Sequence, residues 1–174
     1  MLASRLLGAA MIKNGSDVKV SEVHGMSQRG GSVVTYVRCG EAVASPIIEK
    51  GEADIILAFE QLEAARFLPY LKLGGTLIAN TQKIDPMPVV TGAAVYPEGV
   101  LEAISNTGVS LVELDALSLA VEAGSPKAVN VVLLGRAAKN TAIAKEIWQE
   151  AIIETVPERF KELNLKAFEL GYNS

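Results

Sequence analysis

Ala53-Asp54-Ile55-Ile56-Leu57-Ala58-Phe59 is a short and almost unbroken apolar run. A run of that length without polar alternation suits a strand buried on both faces, as in a parallel sheet. Glu60 to Leu71 follows with helical character, interrupted near Pro69, and Gly74-Gly75 reads as its terminating turn. Thr76 to Asn80 is the next strand. Strand, helix, glycine turn and strand make a βαβ unit, whose crossover is right-handed.

Upstream, Ala3, Leu6, Leu7 and Ala10 fall at the spacing of one helix face, and Asn14-Gly15 reads as a stop. Asp17 to Val23 and Val33 to Arg38 are β-branched and alternating, so both are expected as strands. Downstream, Val89 to Tyr96 fits no single class, Pro97 to Thr107 is predicted helical, Val109 to Leu114 a strand and Asp115 to Ala123 a helix. Ser125-Pro126 has the form of a helix start. Three further helical segments follow, Ala128 to Lys139, Ala142 to Glu154 and Pro157 to Leu170, the last stopped by Gly171. The expected fold is α/β, a three-layer α/β/α Rossmann-like sheet with a helical C-terminal tail, within a single domain over residues 1–174.

Composition removes several kinds of chemistry. The 174 residues are 49% hydrophobic and 21% charged, a globular profile. A formal net charge of −4 does not suit a nucleic-acid footprint, which needs a clustered basic surface. No apolar run approaches the roughly 20 residues of a membrane span, and no secretory leader pattern follows Met1, so a cytoplasmic protein is expected. Cys39 is the one cysteine and His24 the one histidine. An iron–sulfur cluster held by this chain alone, or a zinc site built from Cys and His, is therefore ruled out.

The stretch between the two upstream strands is the one that suggests a site. His24-Gly25-Met26-Ser27-Gln28-Arg29-Gly30-Gly31-Ser32 carries three glycines and five hydrogen-bond donors. From Val23 through Gly40 there is no carboxylate, against two arginines, Arg29 and Arg38. Such a loop suits a phosphate, a carboxylate or an acidic partner surface. The plain alternative is a glycine- and serine-rich turn with a packed histidine, because a general base needs a positioned proton and an orienting partner. Asn80 closes a strand where α/β sheets bind ligands, though a structural turn role suits it as well. Asn130, inside the apolar Val129 to Gly135 helix, is either a buried hydrogen-bond former or a site residue. Asp54, Glu60 and Glu63 can be arranged as acid/base pairs or read as ordinary charges around a helix start. No dinucleotide or P-loop fingerprint is present.

The string Ser21-Glu22-Val23-His24-Gly25-Met26-Ser27-Gln28-Arg29-Gly30-Gly31-Ser32-Val33 resembles the signature of the gamma-type subunit of 2-oxoacid:ferredoxin oxidoreductases. Leu57 to Ala64, Pro126 to Gly135 and Asn164 to Gly171 are similar to later parts of the same family, the last two to its indolepyruvate type. The resemblance implies a small subunit without clusters, in a complex that decarboxylates a 2-oxoacid and releases an acyl-CoA while reducing ferredoxin. It implies thiamine diphosphate and iron–sulfur clusters on a large partner subunit and coenzyme A as co-substrate. Residues His24 to Ser32 are then the binding loop for CoA, substrate or partner. Family members begin with a strand and a G-x-G-G-Q-G turn ahead of the helix at which this sequence starts, so this chain is expected to lack that strand and to expose its neighbours' edges. Either the start lies further upstream or the chain pairs with another, which includes a homodimer when isolated. Two further readings stand beside this one: a stand-alone nucleotide- or acyl-CoA-binding module, and a non-catalytic docking domain.

Overall fold

The computed structural model describes residues 2–23 and 33–174. The loop His24 to Ser32 lies outside the described residues. Helix α1 (Leu2–Lys13) buries Ala3, Leu6 and Ala10 along one face, as their spacing requires. It ends at Gly15, whose φ of 87° few other residues adopt. Strands β1 (Asp17–Val23) and β2 (Val34–Gly40) form an antiparallel hairpin with Asp17 opposite Gly40 and Val23 opposite Val34. No residue of the hairpin is fully buried.

A separate parallel sheet holds β3 (Ala53–Ala58), β4 (Leu71–Asn80) and β5 (Ser110–Leu114) in the order β3-β4-β5. Helix α2 (Gln61–Phe67) and a 3-10 turn at Leu68–Tyr70, where Pro69 ends the α-helical bonding, lead from β3 to β4. A short α3 (Met87–Val90) and α4 (Val100–Ser105) lie between β4 and β5. Then come α5 (Ala116–Ala123), a 3-10 turn at Pro126–Ala128 capped by Ser125, α6 (Val129–Ala138), α7 (Lys145–Thr155) and α8 (Lys161–Asn173).

Alternation along β4 divides the core between two helical layers. Leu77 and Ala79 pack with Ala64 of α2 and with Val100, Leu101 and Ile104 of α4. Ile78 packs on the opposite face with α1, α5, α6, α7 and α8. The parallel sheet is thus the middle of three layers, as expected. The second cluster holds the fully buried Trp148 and Phe168, whose rings stack with centroids 6.2 Å apart. Full burial of side chains of this size contributes about 1.5–3 kcal/mol each.

Two glycine assignments change. Gly74 and Gly75 do not terminate a helix but lie inside β4. Leu71 stands opposite Ala53 and Thr76 opposite Ile55, so the ladder bulges between them. A Cβ on Gly75 would sit 2.9 Å from the Asp54 carbonyl oxygen and 3.0 Å from that of Ala53, so glycine is required where the backbones close up. Gly171 does not stop α8, which continues to Asn173. A Cβ there would collide with the Val132 carbonyl, and one on Gly135 with the Phe168 carbonyl. These two glycines let α6 and α8 cross backbone to backbone.

Candidate functional site

At the carboxyl ends of the parallel strands a polar network ties three connections together. Asn80, fully buried, donates from Nδ2 to the Phe59 carbonyl at 3.1 Å and to Gln82 Oε1 at 3.3 Å. Its Oδ1 accepts from the Ala116 amide at 3.2 Å, at the start of α5. Gln61 donates from Nε2 to the Thr81 carbonyl at 2.5 Å. Both polar ends of Asn80 are therefore engaged within the chain, which favours its structural reading over a ligand role.

Glu60 caps α2 by accepting from the Glu63 amide at 3.1 Å. It is also the anchor of the long 81–99 connection, accepting from the Ile84 amide at 3.4 Å and from the Tyr96 hydroxyl. Loss of water around Tyr96, and then its bond to the Glu60 carboxylate, push the phenol well above its usual range. Asp54 pairs instead with Lys72 across the bulge. Of the three carboxylates weighed as acid/base pairs, Glu60 thus serves as both helix cap and loop anchor, while Asp54 and Glu63 form ion pairs, the latter with Arg66 at 3.0 Å.

Val33 and Val34, just downstream of His24 to Ser32, share a cavity of about 520 Å³ with Ala58 and Phe59 at the carboxyl end of β3. Asn130 lines that cavity too, with its Oδ1 accepting from the Val131 amide at 3.0 Å. Phe59 is the link between the two asparagines: its carbonyl binds Asn80 and its side faces the cavity of Asn130. A second cavity, about 390 Å³, adjoins the first and is lined by Arg38, Cys39, Leu134 and Trp148 among others.

Arg38 donates to the Ile47 carbonyl at 2.7 Å and lies 3.8 Å from Glu52, so it holds the 41–52 segment against β2. Arg38 is therefore engaged within the chain. Cys39 is exposed, and partial burial of its sulfur together with the Asp54 charge raises its thiol pKa, which disfavours a reactive thiolate. Among the described residues there is no group of three or more His, Cys, Asp or Glu side chains able to hold a metal. No helix among them is long and apolar enough to cross a membrane. Sequence reasoning missed the Glu60–Tyr96 bond and the open Trp148 wall, because both join residues that are far apart in the chain.

The indolepyruvate oxidoreductase subunit IorB of Thermococcus kodakarensis is 41% identical over 178 aligned positions, which cover 98% of this chain and 87% of that protein. The gamma subunit of a keto/oxoacid ferredoxin oxidoreductase from Geobacter sulfurreducens superposes with a TM-score of 0.70 at 25% identity, covering 99% of this chain and 88% of that one. The same fold, at TM-score 0.70 and 20% identity, makes up 28% of a longer chain of the 2-oxoglutarate:ferredoxin oxidoreductase from Magnetococcus marinus, solved with 2-oxoglutarate, coenzyme A and succinyl-CoA bound. Residues 1–174 match throughout the family described as pyruvate ferredoxin/flavodoxin oxidoreductase, and this chain belongs to it.

Proposed function

We propose that residues 1–174 act as one unit, the small subunit of a 2-oxoacid:ferredoxin oxidoreductase of the indolepyruvate type. The observation that carries this reading is the family match along the whole chain, joined to 41% identity with an indolepyruvate oxidoreductase subunit. Thiamine diphosphate and the iron–sulfur clusters belong on the large partner subunit. A single cysteine supports that division, because a cluster needs several thiolates. Within the complex the chemistry is oxidative decarboxylation of an arylpyruvate with CoA, which releases the acyl-CoA and carbon dioxide and passes two electrons to ferredoxin.

The part played by this chain is binding. His24, Gly25, Met26, Ser27, Gln28, Arg29, Gly30, Gly31 and Ser32 form the loop that contacts CoA, substrate or the partner. Support comes from its donors, its lack of carboxylates and the position of its Val33 flank beside Phe59 at the carboxyl end of β3. Arg29 supplies the positive charge for an anionic group.

The test is co-expression with the large subunit and measurement of arylpyruvate- and CoA-dependent reduction of ferredoxin or a viologen dye. Activity requiring both chains is expected, and turnover by the isolated small chain would refute the subunit reading. Arg29→Ala is expected to raise the KM for CoA about tenfold, the worth of one charge-assisted hydrogen bond, in a complex that still assembles. Weakened assembly with unchanged kinetics once assembled would instead make the loop a docking element.

A further inference from the structure

Pro86 to Pro97, Pro-Met-Pro-Val-Val-Thr-Gly-Ala-Ala-Val-Tyr-Pro, carries no charged residue. It lies in the 81–99 connection, which leaves the carboxyl end of β4. From Met87 to Val95 every residue but Val89 is exposed. Among the described residues fourteen large apolar side chains are exposed, and Ile84, Met87, Val90 and Val95 are four of them within twelve positions. Apolar side chains scattered singly over a surface are ordinary, whereas a cluster marks a contact.

The stretch is also built to hold its shape. Pro86, Pro88 and Pro97 fix their own φ. Amide bonds from Val90 to Pro86 at 3.0 Å, from Thr91 to Met87 at 2.9 Å and from Ala94 to Pro88 at 3.0 Å close it upon itself. Glu60, itself buried, holds both ends, through the Ile84 amide and the Tyr96 hydroxyl. A loose linker needs none of this. Ordering the loop in advance lowers the entropy cost of binding.

We propose that this loop docks the chain on the large subunit of its complex, where it inserts into an uncharged apolar recess. The inference rests on the subunit reading above and deepens it by naming the surface. Three features select that occupant. The absence of charge suits the core of an interface, where charged residues are depleted. Val95 and Val90 keep 90% and 64% of their surface exposed, so the loop projects from the body. A recess buries such a projection, and a two-fold contact with a second copy would set the same projection against it. Finally, the loop stands at the carboxyl end of the sheet, where α/β folds take their ligands. A subunit seated there closes the ligand end of this chain.

The test uses the 174-residue chain co-expressed with the large subunit. Met87 is the reporter, because its thioether is open to peroxide in the free chain. In the complex its oxidation, read by mass spectrometry, is expected to slow at least about tenfold. The double variant Val90→Glu with Val95→Glu is expected to weaken assembly at least about tenfold, since it strands charge in a dry recess. Val121→Glu on α5 and Ile153→Glu on α7, also exposed, should assemble as the native chain does. All four positions face water, so every variant should keep the native melting temperature. Assembly with Met87 still oxidised at the free rate, or with both loop glutamates tolerated, would overturn the docking loop and leave the subunit reading standing. An equal loss in the two control variants would overturn it as well. Failure of the native chain to assemble at all would remove the subunit reading and this inference with it. Protection of Met87 that rises with self-association of the isolated chain, read by sedimentation, would give the loop to a second copy instead.

Discussion

The α6–α8 crossing presses backbone against backbone, whereas the edges of β2 and β3 leave two cavities between them. The crossing is closed by Gly135 and Gly171, and around it lie Val131, Val132, Leu133, Leu134, Ala167 and Phe168, all essentially buried. The hairpin on the other side contributes no fully buried residue. Apolar burial is the main favourable term in folding, so the stability of this chain is concentrated in its helical layer. The hairpin is held chiefly by its own ladder and by contacts with α1. That division suits a subunit in which one side supplies rigidity and the other presents open strand edges.

The comparison breaks or sharpens in three places. The largest effect is expected at the crossing. Gly171→Ala must push α8 away from the Val132 carbonyl, and a loss of about 3 kcal/mol or more is expected in urea unfolding, with Gly135→Ala close behind. A loss of less than about 1 kcal/mol would mean that the helices can part, and the contrast with the hairpin side would collapse. Asn80→Ala comes next. It strands the Phe59 carbonyl and the Ala116 amide, so about 2 kcal/mol should be lost. Because Asn80 stitches β3 to α5, the same variant should also loosen the loop end of the sheet, read as faster amide exchange at Phe59 and Ala116.

The smallest effect belongs to Tyr96→Phe, which removes one bond to Glu60 and should cost about 1 kcal/mol at neutral pH. Its pH dependence is more telling than its size. The folded protein holds the phenol proton more tightly than the unfolded chain does. The contribution of Tyr96 is therefore complete below the ordinary tyrosine range near about pH 10, and is lost as pH rises toward the higher folded value. Thermal melts of the native protein and Tyr96→Phe should differ at neutral pH and converge in strong alkali. A difference that stayed constant through alkaline pH would place the bond elsewhere.

Much of this arrangement can be read from local pattern. The apolar run at Ala53, the helix face of Ala3, Leu6 and Ala10, and the Ser125-Pro126 start each depend on residues close in sequence, and each element forms where expected. The glycines mislead for a physical reason. Gly75 and Gly171 are required by contacts with Asp54 and Val132, not by a local turn, and only the folded chain brings those carbonyls near. Asn80 was legible as the end of a strand but not as a double anchor, because its acceptors and donors come from β3, the 81–99 connection and α5. The gap beside β3 has no signature within any segment and was expected only from the resemblance, whose family has a strand ahead of α1. It is a relation between two strand edges that the sequence separates by the 41–52 connection. The loop His24 to Ser32 was singled out by composition and resemblance, and it lies outside the described residues.

The bulge in β4 has a consequence for descent. Between the pairs Ala53–Leu71 and Ile55–Thr76, Asp54 alone stands opposite the four-residue stretch Lys72 to Gly75. Length can change in that stretch without moving Thr76 to Asn80 against Ile55 to Ala58, the part of the ladder that carries the Asn80 anchor. Insertions and deletions in this lineage should therefore gather at Lys72 to Gly74, where the sheet absorbs them, and stay out of the five residues that follow Gly75.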